Sequence, residues 1–269
     1  MGSLFQCVLH IITQVRSETF SFLLGMTITK VWEWVNSKYV RRQFKRVFGP
    51  TAKEFHLAFG SMVVRPDLVN LAASSAPPLA RFPFAKPGQV DMAFSAQEVA
   101  SGCEIRAVSY LVSALKRDGG VSPTVVTDNS IADKLDLNFI SFGAMSNLKT
   151  IQVFADAANR LAEYDAAGPG YFVSKVDRKP LYVIRKGYDY GVILRIHPKQ
   201  FPDRSWICCA GWGEWGTSGS AWFLANKWKE IAPKVKPNDQ FLGVFEVEIG
   251  KDESAKLLSV TPRDATIKP

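Results

Sequence analysis

The chain has 269 residues, 47% hydrophobic and 22% charged, with a formal net charge of +8. That composition is globular and allows one large domain, or a domain with an appendage. The charge is unevenly placed: residues 1–53 hold eight basic residues against Glu18 and Glu33, a net of +6, which leaves +2 for residues 54–269. A nearly neutral main domain gives no reason to expect a nucleic-acid partner.

At the N-terminus, two apolar runs, Leu4–Val15 and Thr19–Thr29, are separated by Arg16 and Glu18. Neither reaches the ~20 residues that span a bilayer, and the basic start and cleavage site of a secretory signal are missing. From Phe20 to Val35, Phe20, Leu24, Ile28, Val31 and Val35 share one helical face; Gly25, Thr29, Glu33 and Asn36 share another. That is an amphipathic pattern. Trp32, Trp34 and Tyr39 come with a basic cluster, Lys38, Arg41, Arg42, Lys45 and Arg46, as at a membrane–cytoplasm boundary. Three readings stay open: an imperfect transmembrane helix, an interfacial helix, and a buried helix with a solvated basic end. The first two make membrane lipid a partner of residues 4–46; a spanning helix would, by its basic flank, place the main domain in the cytoplasm, at the inner face of the membrane, and the cysteine usage fits a reducing cytosolic location. Residues 1–48 are thus read as an N-terminal helical segment, ended by Gly49-Pro50, and residues 49–269 as the main domain.

Lys53–Val64 reads as a first strand with His56 in an apolar setting, followed by a proline-rich irregular connection over 65–95. Helical spacing then predicts a helix over Gln97–Leu115, stopped by Gly119-Gly120, and a short buried strand over Ser122–Thr127. Leu137–Phe142 is a strand and Gly143–Asn147 a turn. Ser146 or Asn147 caps the next helix, which spans Asn147–Tyr164. Three β-like runs, Tyr171–Val176, Pro180–Ile184 and Tyr190–His197, suggest an antiparallel meander inserted near 170–200. Near the C-terminus, Gln240–Ile249 reads as a strand with one polar face, Lys256–Val260 as its edge partner, and Thr261–Pro269 as a frayed tail.

The most informative stretch is Trp206–Asn226. An apolar strand, Trp206–Ala210, runs into the glycine-dense turn Gly211, Gly213, Gly216, Thr217, Ser218, Gly219, and a helix extends from Ser220 to Lys229. A G-x-G-x-x-G turn between a strand and a helix offers backbone N–H groups at a helix start, where an anion is attracted. Thr217 would cap the helix and bond a phosphate oxygen. The second turn, with Gly143, Ser146 and Asn147, repeats the plan and should lie beside it. A phosphate-bearing small molecule is the expected partner, with Trp212 or Trp215 stacking on a base or serving only as packing. The serine-hydrolase elbow G-x-S-x-G is absent. Cys7, Cys103, Cys208 and Cys209 form no C-x-x-C pair, and the histidines lie far apart, so neither a disulfide framework nor a zinc site is indicated. Cys208 and Cys209 should point to opposite faces of their strand.

The element order is that of an α/β fold with a mainly parallel sheet flanked by helices, an antiparallel meander and an N-terminal helical segment. Two motifs add to this: Phe142-Gly143-x-x-Ser146-Asn147 after a strand, and Gly211-x-Gly213-x-x-Gly216-Thr217. Together they resemble the SLOG superfamily, the Rossmann-like group of LOG phosphoribohydrolases and nucleotide sensors of bacterial defence, over about residues 120–235. The resemblance implies a nucleotide or ADP-ribose-like ligand and no cofactor. Enzymes of that group carry a glutamate just after the Gly-Thr pair, where this chain has Ser218, Gly219 and Ser220; the nearest acid is Glu214. A sensor that binds without turnover is therefore the first reading. The second is an N-glycosidase in which Glu214 serves as the catalytic carboxylate. The third is a membrane-tethered scaffold that exposes Trp212 and Trp215. The oligomeric state is left open.

Overall fold

A computed structural model describes residues 26–50, 54–60, 100–165 and 172–264. The chain divides into two compact units, Met1–Gln43 and Phe44–Pro269. Of the first, residues 26–43 are helical, and from residue 26 to 39 every side chain is exposed. Among the described residues, no helix is long and apolar enough to cross a membrane. The expectations for residues 1–25, for the 65–95 connection and for the extreme C-terminus lie outside the described residues.

The larger unit is an α/β structure around a seven-stranded mixed sheet. Its strands are β1 (His56–Phe59), β2 (Thr124–Thr127), β3 (Phe139–Phe142), β6 (Tyr188–Ile196), β7 (Trp206–Gly211), β8 (Asp239–Glu248) and β9 (Lys256–Asp264), in spatial order β2-β1-β3-β7-β6-β8-β9. Pairs from β2 to β7 are parallel, and those from β7 to β9 antiparallel. β4 (Ala162–Tyr164) and β5 (Phe172–Ser174) form a separate two-stranded sheet. The helices are α1 (Gly102–Ala114), α2 (Leu148–Ala155) and α3 (Glu214–Asn226).

Alternation along the parallel strands sorts the core into two layers. Phe139, Trp206 and Cys208 join Val153 and Phe154 of α2 in one layer, with Phe172 and Tyr190. The other face packs on α3, where Phe223 meets Phe245 with ring centroids 4.7 Å apart. Cys209 points that way, bonded to Ser220. The adjacent cysteines thus serve opposite layers, and burial pushes the Cys208 thiol up to about 12, so it behaves as a core side chain. Phe44, Val47 and Phe48, expected from the sequence to belong to the N-terminal segment, are core residues of the larger unit. Phe44 and Phe48 stack at 4.1 Å and meet Trp228 edge-on.

Several elements differ from expectation. The helix expected over Asn147–Tyr164 stops at Ala155, because the buried Asn159 side chain binds the carbonyls of Phe154 and Ala162 and the N–H groups of Leu161 and Ala162. β2, expected to be buried, is an edge strand with Val125 46% exposed. β6 is not part of an inserted meander: it lies between β7 and β8, with eight of its nine residues buried. β8 is buried on both faces nearly throughout because Leu242 and Val244 join the layer of Phe172 and Tyr190 while Phe245 and Val247 meet α3. Thr261 belongs to β9 and pairs with Leu242.

Candidate functional site

At the carboxyl ends of β1, β3 and β7 lies a cavity of 280 Å³. Gly60 follows β1, Gly143 follows β3 and Gly211 ends β7; all three line the cavity, with Ser101, Cys103 and Glu104 from the start of α1. Ala144, Met145 and Ser146 come from the β3 turn, and Trp212, Gly213, Glu214 and Thr217 from the β7 turn. The two glycine turns therefore meet in one pocket, in keeping with their shared strand–turn–helix plan. In the parallel order β2-β1-β3-β7 the chain passes from β1 to its neighbour β2 and then back across β1 to β3 on the other side, and a crevice opens at such a reversal.

Glu104 is the chemically distinctive group. It is the third residue of α1, where Ser101 caps the helix by accepting from the Glu104 N–H. Its side chain does not turn back to the cap as in a capping box. It crosses to accept from the Gly60 N–H at 2.8 Å. Only glycines fit beneath it: a Cβ at Gly143 would sit 2.8 Å from Glu104 Oε1, and one at Gly60 2.9 Å from the Ser146 carbonyl oxygen. Gly143 also has φ +85°, the left-handed conformation that side chains disfavour. Burial raises the Glu104 carboxyl to about 7, with nearby Asp128 adding to the rise and the Gly60 N–H opposing it. Beside it, burial pushes the Cys103 thiol up, although the Ser101 hydroxyl, 3.0 Å from the sulfur, works the other way. The neutral thiol is then the resting form.

The β7 turn is built differently from the sequence expectation. α3 begins at Glu214 with Gly213 as its cap, so Gly216, Thr217, Ser218 and Gly219 lie inside the helix. Thr217 does not cap it; its buried hydroxyl accepts from the Gly211 N–H at 2.9 Å. Gly216 and Gly219 face the sheet rather than a ligand, and Gly211 faces the start of the helix. A Cβ at Gly216 would overlap the Tyr190 carbonyl oxygen, one at Gly219 would lie 2.6 Å from Val247, and one at Gly211 would overlap the Thr217 nitrogen. The donors expected to hold phosphate are also occupied. Asp189, at the start of β6 and 4% exposed, accepts from the N–H groups of Gly213 at 2.9 Å, Gly216 at 2.7 Å and Tyr190 at 2.7 Å. A carboxylate at a helix start meets the same demand a phosphate would. The first-turn N–H groups of Glu214 and Trp215 are left without an acceptor among the described residues.

The β3 turn repeats this in another form. Asn147, fully buried, caps α2 by accepting from Lys149 and Thr150 and donates to the Ala58 carbonyl. Asp128 accepts from the Leu148 N–H at 2.8 Å. Of the residues expected to bind ligand, Gly143, Ser146, Gly211, Gly213 and Thr217 line the pocket, and so does Glu214. Asn147, Gly216, Ser218 and Gly219 lie behind it, their groups spent on the fold; Ser218 donates to Asp252 at 2.5 Å. Arg106 binds Asp252 and Ser218 and stacks on Trp215 with 4.4 Å to the ring centroid, which holds that indole half-buried, while Trp212 stays exposed at the rim. Among the described residues the lining carries two carboxyl groups and no Lys or Arg.

Sequence reasoning missed Glu104 and Asp189. The Ser101-x-x-Glu104 spacing was a usable signal for the first, as a capping-box spelling. No local signal marks Asp189. A wider, shallower cleft of 620 Å³ lies elsewhere, but its Lys175 is bonded to the carbonyls of Phe154 and Asn159 and its Asp156 to the N–H groups of Ala158 and Lys199. Its polar groups hold the fold together, so the smaller pocket is the better candidate. Comparison of the chain with protein-family models, curated proteins and solved structures gives no match.

Proposed function

We propose that the pocket holds the ribosyl portion of a nucleotide or ADP-ribose-like molecule. The observation that carries this reading is the convergence of both glycine turns and the buried Glu104 on one cavity at the carboxyl ends of parallel strands. At 280 Å³ it stands near the lower end of small-molecule sites, about 300–1,000 Å³, and suits a sugar with part of its base better than a whole dinucleotide. Carboxyl groups of Glu104 and Glu214 accept from sugar hydroxyls, Ser101 and Ser146 offer hydroxyls of their own, and Trp212 gives a base a face to stack on. Phosphate is directed to the open side, toward the N–H groups of Glu214 and Trp215, because Asp189 holds those of Gly213 and Gly216. The strand order supports a Rossmann-like reading of the sheet, and the paired turns support kinship with the SLOG group. A sensor that binds without turnover needs nothing more.

Cleavage of an N-glycosidic bond is the second reading, and the structure gives it a specific argument. α3 starts at Glu214, so this carboxyl stands at the head of the helix facing the pocket rather than within a loop. Glu104, near 7, is balanced between proton donor and acceptor at neutral pH. One carboxyl protonates a leaving base, and the other steadies the cationic sugar or activates water.

A thermal-shift panel of nucleosides, nucleotides and ADP-ribose on the full chain tests the first reading. A ligand at a hundredfold excess over Kd stabilises by about 2.7 kcal/mol. Failure of every member to raise the melting temperature would remove the proposal and favour the scaffold with exposed Trp212. Chromatography for free base then separates the two readings: release by the wild type, lost in both Glu104→Gln and Glu214→Gln while binding persists, selects the enzyme.

A further inference from the structure

Residues 26–43 carry an inference that does not depend on the pocket. Successive helical residues turn about 100°, which gathers Ile28, Val31, Trp32, Val35 and Tyr39 within an arc of about 100°. These side chains are exposed, Trp32 at 70% and Ile28 and Tyr39 at 60% each, so the arc is uncovered among the described residues. An uncovered apolar face of this kind marks an interaction surface. The opposite side presents Lys30, Glu33, Ser37 and Arg41, with Met26 and Trp34 also exposed among them, while Lys38 and Arg42 flank Val31 at one margin of the apolar arc. Lys30 is paired with Glu33 at 3.3 Å, and Lys38 lies 3.6 Å from the Trp34 ring centroid. The segment holds four cations against one acid.

We infer that this helix lies in the plane of an anionic lipid surface, with the arc of Ile28, Val31, Trp32, Val35 and Tyr39 set at the boundary between headgroups and acyl chains and the basic residues at the headgroups. The charge pattern chooses the occupant. A second copy of the helix would bring the same cations together, whereas acidic headgroups complement them. Charges placed through the segment suit a helix that rests on the bilayer, not one that crosses it. Trp32, Trp34 and Tyr39 have the apolar body and polar edge that settle at the headgroup level. Lys38 and Arg42 can extend their stems along the apolar arc and keep their charged ends at the phosphates.

Flotation of the full chain with phosphatidylcholine vesicles, with and without phosphatidylserine, tests this. Binding should be at least ~10-fold tighter with phosphatidylserine and weaken as salt is added. The double variant Trp32→Glu, Val35→Glu should lose at least ~10-fold in vesicle binding. Ser37→Ala, on the polar side, should bind as the wild type does, and the melting temperature of the larger unit should be unchanged in both. Equal binding to neutral vesicles would overturn the inference. So would binding that survives the double variant, which would put the lipid contact elsewhere in the chain. A concentration-dependent dimer that the double variant abolishes would assign the arc to a second copy instead.

Discussion

The turn after β3 and the turn after β7 share one plan, a parallel strand, a glycine and a helix start, yet they satisfy that helix start from different distances along the chain. At the first, Asn147 caps α2 from within its own sequence. At the second, α3 has no side-chain cap of its own, and Asp189, 24 residues before Gly213, reaches in from β6. The glycines differ in the same way. Gly143 is needed for a left-handed turn and for room beneath Glu104; Gly216 is needed because a helix lies directly on a strand. A glycine-rich turn can therefore serve close packing as fully as it serves a ligand, and its spelling does not tell the two apart.

The largest effect that would test this contrast is at Gly216. Gly216→Val places side-chain atoms where the Tyr190 carbonyl stands, so a loss above about 4 kcal/mol in urea unfolding is expected. A mild effect there would mean the helix is free to lift, and the packing account would fail. Next comes Asp189→Ala, expected to cost about 3 kcal/mol by stranding buried donors. It has a second signature. With the carboxylate gone, inorganic phosphate should stabilise the variant more than it stabilises the wild type; a variant that gains no more than the wild type would show that the Gly213 and Gly216 donors hold no anion even when free.

Glu104→Gln tests the pocket side of the β3 turn through pH. A carboxyl whose pKa rises on folding contributes most below its ordinary value of 4.5 and progressively less as pH climbs through about 7. Wild-type stability should fall across that window by an amount on the order of 3 kcal/mol, and the Gln variant should be flatter. Parallel profiles in urea midpoints from pH 4 to 8 would place the titrating group elsewhere. The smallest effect is at Gly143→Ala, about 1–2 kcal/mol from the positive φ and the contact with Glu104. Because that contact also moves the carboxyl, the flat part of the pH profile should shift with it.

Much of the framework was legible in the residues. Strand–turn–helix units at Phe139–Ala155 and Trp206–Asn226 arise from apolar runs broken by glycine and from Asn147 as a cap, all short-range signals. The pairing of the two turns in one pocket follows from the geometry of parallel strands. The early end of the helix after Asn147 was not legible, because Asn159 acts through its side chain on four backbone groups, a local competition that periodicity does not register.

By itself, then, the sequence put β4 inside a helix and expected a strand at Pro180–Ile184, where only a bridge at Pro180 forms, but it determined most strands of the main sheet, which glycine turns open helices, and that residues 26–43 carry an apolar stripe beside positive charge. Those properties depend on neighbours within a few residues. Tertiary structure alone decided that β6 lies between β7 and β8, that Asp189 fills the helix start expected to hold phosphate, and that Glu104 is buried over Gly60 and Gly143. Each of these joins groups far apart in the chain. Hydrogen bonding and desolvation act on what is close in space, so the charge of the pocket was fixed only when the strands came together.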